Sequence, residues 1–127
     1  MGILSLLKPR KRILVLDDDA AMRKLVSLLL KRAGYRVDVV TKGNEAIKAI
    51  ESKDYAAILL DLMMPHEGGM TVMSHLRAAK PDLLGRVILV TGAPDTVLVS
   101  LRNGIFGVVK KPLDVAELTA TVKKLTG

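Results

Sequence analysis

The chain contains no cysteine and no tryptophan. Without cysteine it can form neither a disulfide nor a thiolate metal site, which fits a reducing cytoplasm. Aromatic residues amount to 2% and are only Tyr35, Tyr55 and Phe106. That is too few for a stacking platform on single-stranded nucleic acid. No apolar run approaches the ~20 residues of a membrane span. Residues 1–7 carry no charge ahead of their short apolar stretch, so no secretory signal is read there. What is present is 127 residues, 50% of them hydrophobic. That content suffices for one domain with a proper core and is too apolar for a disordered chain.

Basic residues outnumber acidic ones, 20 to 13. Lys8, Arg10, Lys11 and Arg12 all precede the first core segment, which leaves sixteen basic against thirteen acidic residues for the remainder. Residues 1–12 therefore read as a basic leader and residues 13–127 as the folded domain. A leader of this kind is a contact for nucleic acid, acidic lipid or an acidic partner, or simply a solvated tail, which is the plainer reading.

The domain reads as strands alternating with helices. Ile13–Leu16 is a buried strand that stops at three aspartates. Ala20–Ala33 has the spacing of one helix face at Met22, Leu25, Val26 and Leu29, with Asp19 as N-cap and Gly34 closing it. Arg36–Val40 is a second strand, and Asn44–Ser52 a helix with Ala46, Ile47 and Ile50 inward. Ala57–Leu60 is a third strand, ending at Asp61. After the loop at residues 64–69, Met70–Ala79 is helical, with Val72, Met73 and Leu76 apolar. Val87–Val90 is a fourth strand ending at Thr91. Asp95 is placed as the N-cap of a short helix closed by Asn103 and Gly104. Ile105–Val109 is a fifth strand ending at Lys110, Lys111 and Pro112, and Asp114 caps a last helix with Val115, Leu118, Val122 and Leu125 spaced three and four apart. Five strand–helix units predict a doubly wound α/β fold around a parallel sheet.

In such sheets chemistry gathers beyond the carboxyl ends of the strands. Here those ends deliver Asp17, Asp18 and Asp19, then Asp61, Thr91 and Lys111. Each has an ordinary reading alone: Asp19 as a cap, Asp61 as a loop cap, Thr91 as a β-branched strand end, Lys111 and Lys110 as surface charge. Together they say more. Carboxylates crowded at one edge repel, and a hard divalent cation relieves that repulsion. Oxygen donors without Cys or His point to Mg²⁺. An ammonium and a hydroxyl facing the same ion suggest a bound oxyanion, most naturally a phosphoryl group.

Ile13–Asp19, Asp61-Leu-Met-Met-Pro65, Val90-Thr91-Gly92 and Lys111-Pro112 resemble the signature set of bacterial two-component response-regulator receiver domains. The resemblance covers Ile13 to about Leu125. It implies a flavodoxin-like five-stranded parallel sheet of order 2-1-3-4-5. It also implies a phosphoryl group taken by Asp61 from a phosphohistidine of a sensor histidine kinase or histidine phosphotransfer protein. Mg²⁺ would then be held by Asp18, Asp61 and the backbone carbonyl of Met63, with Asp17 on metal-bound water. Lys111 and Thr91 would contact the phosphoryl oxygens, and the Lys111–Pro112 bond would be cis. The family further implies a cytoplasmic location and a downstream partner on the face made by the fourth helix, fifth strand and fifth helix. It implies no direct nucleic-acid contact by this domain.

One departure is visible. Receivers carry Tyr or Phe three residues before the lysine, where this chain has Val108. Phe106 is expected two residues earlier on the same strand face, so the usual aromatic switch is in doubt. His66 is expected in a solvated loop, and His75 on an exposed helix position. No output domain follows, so the chain reads as a stand-alone receiver or one cut from a longer protein. Two rivals are weighed beside this. In a haloacid-dehalogenase-type phosphohydrolase, Asp17 is the nucleophile, Asp19 its partner, and Asp61 has no role. In a pseudo-receiver the acidic set, Thr91 and Lys111 would not be needed together.

Overall fold

The computed structural model describes residues 10–65 and 67–127. The expectations on residues 1–9, which include most of the basic leader, and on His66 lie outside the described residues. The elements run β1 (Arg12–Leu16), α1 (Ala20–Arg32), β2 (Arg36–Val40), α2 (Gly43–Ser52), β3 (Ala57–Leu60), α3 (Gly69–Ala79), a 3-10 segment (Pro81–Arg86), β4 (Val87–Thr91), α4 (Asp95–Leu101), β5 (Gly107–Lys110) and α5 (Val115–Thr126). All strand pairs are parallel, in the order β2-β1-β3-β4-β5. This is the flavodoxin-like arrangement, with β1 and β3 adjacent at its centre.

The central strands are apolar throughout because both of their faces are covered. β3 and β4 are buried at every position, and β1 is buried from Ile13 onward. Strand periodicity then sorts their side chains into two cores. Leu14, Leu16, Ile58, Leu60 and Leu89 meet Ala46, Ile50, Val72, Met73 and Leu76, so α2 and α3 cover one face. Ile13, Val15, Leu59, Ile88 and Val90 meet Val26, Leu30, Leu118 and Val122, so α1 and α5 cover the other. Edge strand β2 is less covered, and Val39 is exposed.

Several local expectations need correction. Asp95 does not cap α4: the Pro94 carbonyl accepts from Val97 and Leu98, which makes Pro94 the N-cap and Asp95 the first helical residue. The fifth strand is Gly107–Lys110 rather than Ile105–Val109. Ile105 N–H turns back to the Arg102 carbonyl, and the ladder with β4 begins at the Ile88–Gly107 pair. Phe106 thus precedes the strand and is exposed. Leu25 and Val115, which share the apolar helix spacings, are exposed. His75 is half-buried, its Nε2 3.4 Å from Glu51 Oε1 across α2 and α3. The 3-10 segment after Pro81 has no counterpart in the sequence reading. The Asp19 and Asp114 caps stand as expected: Asp19 Oδ1 accepts from Ala21 N–H at 2.9 Å and Asp114 Oδ1 from Glu117 N–H at 3.0 Å. Gly34, at φ +100°, adopts the left-handed conformation a helix-ending glycine supplies.

Candidate functional site

β1 and β3 end side by side, so the residues that follow each strand meet. Asp17 N–H donates to the Val40 carbonyl and Asp61 N–H to the Leu16 carbonyl, which continues the ladder one residue past the strands. Asp17 and Asp61 are each 3% exposed, whereas Asp18 is open to solvent. One carboxylate oxygen from each of Asp17, Asp18 and Asp61 lies within 4.8 Å of the others.

Lys111 closes the cluster from the end of β5. Its Nζ donates to Asp17 Oδ2 at 2.8 Å and to Asp61 Oδ2 at 3.1 Å. Burial works against the Lys111 charge, but the hydrogen bonds and charges of the two aspartates outweigh it, and its ammonium is held above the ordinary lysine range. The remaining oxygens are fixed by backbone. Asp17 Oδ1 accepts from Asp19 N–H and Asp61 Oδ1 from Met63 N–H, each at 2.9 Å. The Lys111–Pro112 peptide is cis.

Thr91 is fully buried at the end of β4, and its Oγ1 accepts from Ala93 N–H at 3.2 Å. Lys111 N–H donates to the Thr91 carbonyl at 3.0 Å, which ties the lysine and threonine strands together at the site. A groove of about 470 Å³ opens beside Asp18, walled by Thr41, Asn44, Met64, Pro65 and Glu67. The fold thus gathers Asp17, Asp18, Asp61 and Lys111 into one cluster, with Thr91 on the adjoining strand. Asp19 stands apart as the cap of α1, and the Met63 side chain is exposed above the loop.

Three supporting residues escaped the sequence reading. Gly69 N–H donates to the Asp61 carbonyl at 2.9 Å, and a Cβ there would lie 2.4 Å from that oxygen. The Gly68-Gly69 pair was legible only as turn chemistry. Arg23 Nη1 donates to the Asp17 carbonyl at 3.0 Å. Lys110, taken as surface charge, donates to the Ala93 carbonyl at 3.0 Å and to Asp95 Oδ1 at 2.9 Å.

Three hard carboxylates without a soft donor fit a divalent cation such as Mg²⁺. The response regulator receiver domain family matches residues 13–123. The chain is 34% identical over 116 residues to the DNA-binding response regulator MtrA of Mycolicibacterium paratuberculosis, covering 90% of this chain and 50% of that protein. It therefore spans about half the length of the curated relatives it matches. Among solved structures, it resembles response regulator protein TrrA from Thermotoga maritima in complex with Mg²⁺ and BeF. The TM-score is 0.79 at 34% identity, over 91% of this chain and 98% of that one. It also resembles the receiver domain of sensor histidine kinase PA1611 from Pseudomonas aeruginosa, which has a magnesium ion coordinated in its active-site cleft. There the TM-score is 0.82 at 26% identity, over 94% of this chain and 99% of that one.

Proposed function

Since the chain belongs to the response regulator receiver domain family, we propose that Asp61 is its phosphoacceptor, taking the phosphoryl group from a phosphohistidine on a sensor histidine kinase or histidine phosphotransfer protein. The observation that carries this is Lys111 Nζ bridging the carboxylates of Asp17 and Asp61 at the junction of β1 and β3.

A carboxylate oxygen of Asp61 attacks phosphorus, the P–N bond breaks, and the imidazole leaves as the acyl phosphate forms. Asp61 is pre-positioned for this, since Met63 N–H and Lys111 hold its two oxygens. Such transfer needs positioning and charge neutralisation more than covalent help from the protein. Lys111 supplies a fixed positive charge for the phosphoryl oxygens. The Thr91 hydroxyl offers a charge-assisted hydrogen bond once the oxyanion is in place. Asp18, Asp61 and the Met63 carbonyl would hold Mg²⁺, with Asp17 in support beside them, and its charge there would help neutralise the phosphoryl oxygens. The groove beside Asp18 is the open approach for a donor imidazole.

In this reading the protein is a signalling phosphoacceptor in the cytoplasm that phosphorylates and dephosphorylates by its own groups. The leader, expected over residues 1–12, ends one residue sooner in this reading, because Arg12 opens β1 and pairs with Arg36; the receiver expected at 13–127 then begins at Arg12. A downstream partner reads the face of α4, β5 and α5, and the domain makes no nucleic-acid contact of its own. A haloacid-dehalogenase reading leaves Asp61 without a role and finds no support among the relatives.

The test is incubation with acetyl phosphate and Mg²⁺, read by intact mass. The native chain should gain one phosphoryl group and Asp61→Asn none. Labelling that survives in Asp61→Asn but is lost in Asp17→Asn would overturn the assignment and favour the dehalogenase chemistry.

A further inference from the structure

Lys110 and Lys111 are consecutive, and successive strand residues project to opposite sides. Lys111 enters the carboxylate cluster. Lys110, the register partner of Thr91, reaches back over the loop between β4 and α4. Its Nζ donates to the Ala93 carbonyl at 3.0 Å and to Asp95 Oδ1 at 2.9 Å. Ala93 is fully buried, and its N–H is given to Thr91 Oγ1 at 3.2 Å. Both backbone polar groups of Ala93 are thus taken, one by the threonine hydroxyl and one by the Lys110 ammonium. Any turn of Thr91 toward Asp61 must release the Ala93 N–H or carry Ala93 along, and Lys110 holds Ala93 and the first residue of α4 against that.

We infer that Lys110 is a positioning residue: it straps the Thr91–Asp95 loop in its resting arrangement and sets how readily Thr91 turns to a phosphoryl group. The inference rests on Asp61 being the phosphoacceptor. Where Val108 leaves this chain without an aromatic ring on β5, the strap joins β5 to the loop by charge and hydrogen bonding instead.

Removing the strap should make the loop easier to recruit, so affinity for a phosphoryl mimic should rise. The strap is one hydrogen bond to a carbonyl plus one exposed ion pair, so the gain should be about threefold. The probe is beryllofluoride at fixed Mg²⁺, titrated into the full chain. Binding is read from backbone amide shifts of Gly92, Ala93 and Asp95. Lys110→Met should bind about threefold tighter, Asp95→Asn should gain less, and Lys110→Arg should restore native affinity. Equal or weaker binding by Lys110→Met than by the native chain overturns the strap, as does failure of Lys110→Arg to restore. Should Lys110→Met fail to fold, Asp95→Asn decides: tighter binding supports the strap, and unchanged or weaker binding overturns it. A native chain that ignores beryllofluoride overturns the phosphoacceptor reading itself.

Discussion

Asp38 Oδ2 accepts the Tyr55 hydroxyl at 2.7 Å, with the Arg12 guanidinium and the Lys53 ammonium 3.1 and 3.3 Å away. Partial burial pushes the Asp38 carboxyl up, but the bonds from Tyr55, Arg12 and Lys53 win and hold it below its ordinary 3.8. Tyr55 answers in the other direction: burial, then the Asp38 bond and charge, raise its phenol. A depressed carboxyl contributes stability above its unfolded pKa, and that contribution is lost as pH falls through the folded value. Asp38→Asn should therefore cost about 1–2 kcal/mol at pH 7. The gap to the native chain should narrow in denaturant titrations as pH falls below the ordinary Asp38 value of 3.8 and close only below the lower folded value; a gap that does not narrow as pH falls refutes the ionic account. None of this was legible in the sequence, since Arg12 on β1, Asp38 on β2, and Lys53 and Tyr55 in the connection from α2 to β3 are polar residues far apart in the chain. Asp17, Asp61, Thr91 and Lys111 were legible because each closes an apolar run, and parallel topology sends those ends to one edge.

The loop from β3 to α3 is fixed by close backbone approach. Gly69 lies against the Asp61 carbonyl, and a methyl at residue 69 would sit 2.4 Å from that oxygen and 2.9 Å from its carbon. Neither atom can yield without moving Asp61. Gly69→Ala should destabilise the fold by about 2 kcal/mol, as overpacking against rigid neighbours does. It should also slow phosphoryl uptake from acetyl phosphate at least tenfold, measured on protein that circular dichroism shows to be folded. Normal uptake would mean the loop tolerates the shift. At this scale the sequence located every α-helix and strand among the described residues but missed the 3-10 segment after Pro81 and misplaced some ends. β5 begins at Gly107 because pairing with β4, not apolar content, decides where a strand starts. α4 begins after Pro94 because Asp95 gives its carboxylate to Lys110 rather than to the helix. Lys110 itself looked like any surface lysine, since its partners Ala93 and Asp95 belong to another element.

Across the whole molecule, strand–helix alternation was enough to give a doubly wound sheet, and the resemblance added the strand order. An ion that binds only the folded state stabilises it by mass action, about 1.4 kcal/mol at ten times its Kd. Mg²⁺ should accordingly raise the melting temperature of the native chain by several degrees. Asp18→Ala should erase that rise while the metal-free protein melts no lower than native, because one repelling charge has gone. A Mg²⁺ shift undiminished in Asp18→Ala would remove Asp18 from the ligand set. The sheet also divides labour along the strand direction. Asp17, Asp61 and Lys111 meet at its carboxyl edge, while Arg86 with Asp54, like Arg12 with Asp38, ties elements together toward its amino edge. The buried central strands separate the two sets. Substitutions at the amino edge can therefore drift, raising or lowering heat tolerance, while the carboxylate cluster stays untouched; a lineage moving to a hotter or colder habitat could retune one property without renegotiating the other.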